Sequence, residues 1–175
     1  MTSRNALDAI PVEIRRAACA YHEAGHILVG WRLGRLITHA WLRPPHGVSG
    51  ETCFTPYETP MRREREADRV RAEAEVTILC GGYCGEMIYW NQAEAARWFP
   101  GEIQSHADDL AQMRIFLRFL APPDEAALHA RCSRAAMAIL HAPAMLAAQK
   151  ALAGQLMRNR RIGGEDLAAI IASAA

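Results

Sequence analysis

The spacing of hydrophobic residues predicts that the chain begins with a long buried helix. No proline interrupts the sequence between Pro11 and about Leu33, and Pro11 itself suits the first turn of a helix. Apolar or small residues recur there at spacings of three and four: Ile14, Ala18, Tyr21, Gly25 and Leu28. This spacing places them on one helical face, and Gly34 marks the end of the helix.

The rest of the chain predicts one β-prone region and several further helices. Residues 36–42 and 50–55 are β-prone and flank a proline-rich turn, which indicates two short strands. Helical patterns follow at residues 61–90, 108–120, 125–140, 143–160 and 167–172, with a turn at 163–166 before the last. We therefore predict a mainly α-helical fold, a single domain over residues 1–175, with a short β-hairpin or small sheet after the first helix.

The composition supports a helical fold and argues against a nucleic-acid partner. The sequence has 33 Ala and 19 Arg but a single Lys, and both Ala and Arg favour helices. Basic and acidic residues nearly balance, at a net charge of +1, and many arginines alternate with acids, as in residues 62–66. This pattern is typical of a solvated helix face rather than of a phosphate-binding surface.

The cysteines and the hydrophobic runs predict a cytoplasmic protein that does not enter a membrane. The five cysteines are an odd set without the close pairs of a zinc ribbon. Residues 1–10 lack the basic and apolar regions of a secretory signal, so we expect the thiols to be reduced. The longest weakly polar run, residues 135–148, is too short to span a bilayer.

The motif with the clearest chemistry, HExxH, lies in the middle of the first helix. His22-Glu23-Ala24-Gly25-His26 places two imidazoles one turn apart on one helical face, so that both can bind one zinc ion. Glu23 then lies beside the open coordination position and is the candidate catalytic residue. On a buried face these groups would carry a desolvation cost that a metal ion offsets. We therefore predict Zn²⁺ as the cofactor, with His22 and His26 as ligands.

The spacing of residues alone does not identify the third zinc ligand. The extended motif that adds a third His six residues further on fails, because that position is Arg32. A carboxylate or imidazole must therefore come from elsewhere in the chain, since a catalytic zinc site has three protein ligands. The candidates are Glu86 on the apolar half of the 61–90 helix and the cluster His106, Asp108 and Asp109. Asp108 and Asp109 also suit a helix N-terminus, where acids are favoured by the dipole.

Several segments resemble the peptidase domain of the FtsH family of ATP-dependent zinc proteases. The block Ala20-Tyr21-His22-Glu23-Ala24-Gly25-His26, continued by Leu28-Val29-Gly30-Trp31, looks like the active-site helix of that family. Weaker similarities follow in the family's order: Arg43, Gly50, Thr52 and Pro56, then Leu79, Gly81-Gly82 and Glu86, then residues 152–170. The resemblance covers nearly the whole chain, and the first block is by far the most specific part of it.

The resemblance implies Asp109 as the third zinc ligand. The family ligand lies in a pattern like S-N-D-[LI], which Asp109-Leu110 fits best, with Asp108 in the place of the Asn. Residues 104–107 depart from the Gly-Ala-Ser that usually precedes it. Tyr83 stands where the family has Arg, and only Glu86 remains of two consecutive acids.

The same resemblance implies a zinc metallopeptidase that hydrolyses peptides or unfolded protein segments. A zinc-activated water would attack the peptide bond, with Glu23 as general base. The sequence lacks the G-x-x-x-x-G-K-[ST] phosphate loop of the family's ATPase module and begins shortly before His22. We therefore expect a stand-alone peptidase domain. Candidate partners are a separate ATPase and further copies of the chain, since the family forms hexameric rings.

Two alternative interpretations remain. A catalytically silent metal-binding module, derived from a peptidase and acting as an adaptor or regulator, would also keep the histidines. A different HExxH hydrolase with Glu86 as third ligand would perform the same chemistry on another scaffold.

The β-prone segment at residues 50–55 is either an edge strand that pairs with an extended peptide or an ordinary structural hairpin.

Overall fold

The structure, a computed structural model, describes residues 9–44, 46, 48–101 and 107–174. The helices in these residues are α1 (Val12–Arg32), α2 (Glu66–Trp90), α3 (Ala93–Ala96), α4 (Ala107–Leu120), α5 (Glu125–Leu140), α6 (Pro143–Asn159) and α7 (Gly164–Ala174). The strands are β1 (Ile37–Leu42), β2 (Gly50–Phe54) and β3 (Arg161–Gly163). Helices make up 68% of the described residues, so the predicted mainly α fold with a small sheet is confirmed.

Helix α1 lies at the centre of the molecule. Every residue from Ala18 to Gly30 is buried except Tyr21, which is partly buried. A helix buried on all sides must contact neighbours around its whole circumference. Here the neighbours are α2, α5 and α6 together with strands β1 and β2. The HExxH motif therefore lies in the interior, where each of its polar side chains needs a partner.

Glycines allow α1 and α2 to approach each other closely. A Cβ atom on Gly25 of α1 would overlap the backbone carbonyl of Gly81 on α2. A Cβ atom on Gly85 would lie 2.5 Å from the carbonyl oxygen of Tyr21 and 2.6 Å from Nε2 of Gln149. Glycine costs a helix interior about 1 kcal/mol relative to alanine, so its use here reflects packing rather than helix propensity. The close approach holds the HExxH face of α1 against α2.

The sheet is antiparallel, with β1 between β2 and β3. Ala40 of β1 lies opposite Thr52 of β2 on one side and Ile162 of β3 on the other. Ala40 and Ile162 are buried in the core. Within the described part of the chain, β2 is thus an edge strand, and it also packs against α1.

Strand β3 was not expected. The Gly163-Gly164 pair predicted a turn over residues 163–166, but Gly163 ends β3 and α7 begins at Gly164. The strand is three residues long and pairs with β1, while Ile162 inserts into the core. Such long-range pairing leaves no local pattern in the sequence.

Helix α2 begins at Glu66 rather than near residue 61, where the charge pattern placed it. The carboxylate of Asp68 accepts a hydrogen bond from the backbone N–H of Arg62 at 3.0 Å. Arg65 has an extended backbone, with φ −95° and ψ 120°. The residues before Glu66 therefore turn back onto the first turn of α2 and do not lengthen it.

Helices α5 and α6 bend by 86° at their junction, and only the two together have the length and apolar composition of a membrane span. No single helix among the described residues is both long enough and apolar enough to cross a membrane.

We predict opposite effects on stability for two glycine-to-alanine substitutions, one at the contact between α1 and α2 and one away from it. Gly85→Ala should destabilise the fold by roughly 1–3 kcal/mol, because its Cβ would press on backbone that cannot move independently. Gly154→Ala on α6 is the matched control, since its Cβ would meet only the flexible Arg158 side chain, at 3.4 Å. It should stabilise by up to about 1 kcal/mol through helix propensity. Urea unfolding measures both, and equal effects would contradict the packing interpretation.

Candidate metal centre

Three side chains from two helices converge on one point. His22 and His26 come from α1 and Asp109 from α4. Nε2 of His22 lies 3.1 Å from Nε2 of His26 and 2.9 Å from Oδ2 of Asp109. The third side of this triangle, between Nε2 of His26 and the same oxygen, is 3.2 Å. The three residues form a group that could hold a metal ion.

The dimensions of this triangle fit a small tetrahedral metal ion. Ligand atoms bound to zinc at about 2.0–2.2 Å in tetrahedral geometry lie roughly 3.3–3.6 Å apart. The separations of 2.9–3.2 Å are slightly shorter. Two imidazole nitrogens and one carboxylate oxygen are also a donor set that zinc accepts.

The ring of His26 is oriented by the backbone of α2. Its Nδ1 lies 2.8 Å from the carbonyl oxygen of Ile78. A carbonyl oxygen only accepts hydrogen bonds, so Nδ1 carries the proton and donates it. In the neutral ring, Nε2 then has its lone pair directed toward His22 and Asp109. A metal-binding histidine is commonly held this way, by a hydrogen bond from its other ring nitrogen.

The ring of His22 is held by a carboxylate instead. Its Nδ1 lies 3.2 Å from Oε2 of Glu86, and Oε1 of Glu86 accepts a hydrogen bond from the indole N–H of Trp90 at 3.0 Å. Glu86 therefore contacts the nitrogen that faces away from the triangle. In this arrangement Glu86 orients His22 and increases its basicity rather than joining Asp109 in the group.

Gly82 leaves room for the two imidazoles. A Cβ atom at this position would collide with Nε2 of both His22 and His26. Gly82 lies one helical turn after Ile78, whose carbonyl holds His26. The same turn of α2 thus orients one ring and makes space for both, which explains a glycine in the middle of a 25-residue helix.

Electrostatics favour a positively charged His22 next to an ionised Asp109. Burial lowers the pKa of His22, but hydrogen bonds to Asp109 and Glu86 outweigh burial and raise the pKa to about 10. Burial raises the pKa of Asp109, but the neighbouring His26 and His22 outweigh it and lower the pKa well below its usual value. Imidazole binds a metal in its neutral form, so a metal ion would replace the added proton of His22 and leave the carboxylate ionised.

Glu23 lies beside the centre and is almost completely buried. Its Oε2 accepts a hydrogen bond from the hydroxyl of Thr52 on β2 at 2.8 Å. Burial raises the pKa of Glu23, although His22, His26 and the Thr52 hydroxyl act in the opposite direction. A raised pKa makes the carboxylate a better proton acceptor than an exposed glutamate.

A cleft of about 350 Å³ opens onto these residues. Glu23, His26 and Asp109 line it, together with residues of β2, α2 and α4. Residues 50–54 of β2 all line the cleft, so a molecule bound there would lie along the edge strand. The centre is thus buried on the side of the core and accessible from the cleft.

The structure separates the candidates for the third ligand by position. Asp109 lies in the group with His22 and His26, whereas Glu86 lies behind the His22 ring. Asp108 is exposed and lines the cleft without belonging to the group. His106 lies outside the described residues. The identity of Asp109 as a ligand stays a prediction.

Sequence reasoning missed three contributors to the site. Trp90 follows Glu86 by four residues on the same helix, a spacing that could have indicated the contact. Gly82 carried a weaker signal, because a glycine pair inside a helix is unfavourable unless a close approach requires it. The contact between Thr52 and Glu23 joins residues 29 positions apart, and no local pattern predicts it.

Comparison of the chain with protein-family models and with curated proteins finds no match. What the centre does therefore has to follow from its own geometry, donor atoms and surroundings.

The centre predicts a definite order of metal affinities among carboxylate variants. Asp109→Asn should abolish tight binding of Zn²⁺, used as the probe ion, because it removes a charged donor from the triangle. Glu86→Gln should weaken binding by roughly 10–100-fold, the usual effect of altering a residue that orients a ligand. Asp108→Asn is the matched control and should bind as the wild type does. Competition with a chromogenic chelator measures all three, and loss of binding in Asp108→Asn with retention in Asp109→Asn would reverse the assignment.

Proposed function

We propose that the protein is a zinc metallopeptidase that hydrolyses peptide bonds in peptides or unfolded protein segments. The observation that carries the proposal is the group of His22, His26 and Asp109 beside Glu23 in an accessible cleft. Zinc is proposed because the donor set is mixed nitrogen and oxygen and its spacing is close to tetrahedral. A buried glutamate that is not among the three donors supports catalysis, since a structural metal site needs no base.

The residues of the chain then have separate roles in hydrolysis. When bound, zinc lowers the pKa of water and polarises a carbonyl group. His22, His26 and Asp109 hold the ion, while Glu86 and the Ile78 carbonyl keep the two rings oriented. Glu23 accepts a proton from the attacking water and passes it to the nitrogen of the departing amine. Water thus adds its hydroxyl to the carbonyl carbon and its proton to the nitrogen, and the bond between that carbon and nitrogen breaks.

An extended peptide is the substrate shape that the cleft supports. The cleft lies between the edge strand β2 and the helices α2 and α4, and its volume of about 350 Å³ is too small for a folded domain. A peptide in extended form could pair with β2 through backbone hydrogen bonds, which depend little on side-chain identity. Flexible or unfolded segments can adopt this extended form and are therefore the proposed substrates.

The resemblance to the FtsH peptidase domain belongs to the same proposal. It is supported by the order of the similar segments along the chain and by a mainly helical fold whose small sheet lies beside the HExxH helix. On this basis a separate ATPase and further copies of the chain are proposed as partners. A cytoplasmic location is proposed as well, supported by five free cysteines, four of which are buried.

Hydrolysis without ATP is the first test of this function. The zinc-loaded protein should cleave unfolded casein, lose the activity on chelation and recover it when zinc is restored. Glu23→Gln should keep zinc but lower the rate by roughly 10²–10⁴-fold, the usual contribution of a general base. Glu13→Gln, an exposed glutamate on the same helix, is the matched control. Zinc binding without hydrolysis of any peptide in a library would instead favour the adaptor or regulatory module.

Backbone pairing with β2 predicts an alternating response to N-methylation of a peptide substrate. In an antiparallel pair only every second residue directs its N–H toward the neighbouring strand. Methylating one backbone amide at a time should therefore raise KM at alternate positions and leave the intervening positions little changed. The readout is a series of KM values for singly methylated peptides. A uniform effect, or one confined to the scissile amide, would contradict strand pairing.

A further inference from the structure

The carboxylate of Glu23 is anchored by β2, a strand that lines the cleft. The hydroxyl of Thr52 lies 2.8 Å from Oε2 of Glu23 and 3.4 Å from its backbone carbonyl oxygen. The carboxylate oxygen accepts the single proton of the hydroxyl, and the longer contact to the backbone carbonyl is secondary. One hydroxyl thus touches both the side chain and the backbone of the proposed base. A bond to an ionised acceptor is also among the stronger hydrogen bonds in proteins.

Gly50 provides the space that this contact needs. A Cβ atom at Gly50 would lie 2.6 Å from Cγ and Oε1 of Glu23 and 2.8 Å from its Cδ. Gly50 and Thr52 are two residues apart on β2, a spacing that directs both positions to the same face of the strand. Gly50 therefore leaves space for the Glu23 side chain, and Thr52 donates a hydrogen bond to one of its carboxylate oxygens.

The position of Thr52 is itself well defined. Thr52 lies opposite Ala40 in the register of β1 and β2, and Ala40 is completely buried. The hydroxyl is therefore attached to a strand whose register is fixed by the core. By contrast, a glutamate side chain has three rotatable bonds and must be held if its carboxylate is to meet a proton in one place.

We propose that Thr52 is a positioning residue, which holds the Glu23 carboxylate in the orientation needed for proton transfer, with Gly50 leaving room for it. The inference rests on the proposed function, and it adds a residue outside the HExxH motif to the machinery. Since β2 is also the strand proposed to pair with substrate, the same element aligns the peptide and the base.

Thr52→Val tests this directly, because valine keeps the branched shape and the strand preference but lacks the hydroxyl. We expect kcat to fall by roughly 10–100-fold, the scale of a small misplacement of a catalytic group, while KM and zinc content stay near the wild-type values. Thr52→Ser retains the donor and should restore most of kcat. Thr38→Val on β1 is the control, since the hydroxyl of Thr38 bonds to the Cys53 carbonyl and not to Glu23.

A measurement without activity tests the contact itself. Thr52→Val should lower the midpoint of urea unfolding in the wild-type background but not in a Glu23→Leu background, where the acceptor is gone. Equal shifts in both backgrounds would overturn the inference, as would an unchanged kcat in Thr52→Val or a failure of serine to rescue. A wild-type protein that binds zinc and hydrolyses nothing would overturn the proposed function, and the role of Thr52 with it.

Discussion

The burial of three polar side chains on the central helix is the constraint on which the rest of the structure depends. His22, Glu23 and His26 lie where α1 is enclosed on all sides, and a buried polar group without a partner is costly. Three surrounding elements accordingly supply partners. Helix α2 contributes Glu86 and a backbone carbonyl, α4 contributes Asp109, and β2 contributes a hydroxyl. The elements packed around α1 thus offset the desolvation cost of its buried polar side chains.

The hydrogen bond between the Ile78 carbonyl and His26 requires α2 to lie close to α1. A backbone carbonyl can reach an imidazole on another helix only if no side chain stands between them, which is why α2 has glycines where it faces α1. Each glycine sacrifices helix propensity. The long apolar second half of α2 offsets that loss by burying Val76, Ile78 and Leu79 in the core.

A feature could be predicted from the sequence when residues close together in the chain determine it, and not when contacts between distant residues determine it. The pairing of His22 with His26 follows from helical spacing alone, and so does the mainly helical fold. The choice of a third ligand among Glu86, His106, Asp108 and Asp109 does not, because it depends on tertiary packing. Glu86 shows the difficulty clearly: a carboxylate near a histidine was expected, but only the packing determines which ring nitrogen it meets. Strand β3 eluded prediction for the same reason, since its partner β1 lies more than a hundred residues earlier in the chain.

The position of Asp109 determines when the group of His22, His26 and Asp109 can form. His22 and Asp109 are separated by 87 positions, so their meeting closes a long loop and costs chain entropy that only tertiary packing can offset. An unfolded copy of the chain still carries both histidines and Glu23, but its metal-binding triangle does not exist. An ion held by all three residues would act as a cross-link between α1 and α4 and would favour the folded chain over the unfolded one. Folding and the assembly of the centre are therefore a single event, and an incompletely folded copy lacks the complete set of three donor atoms.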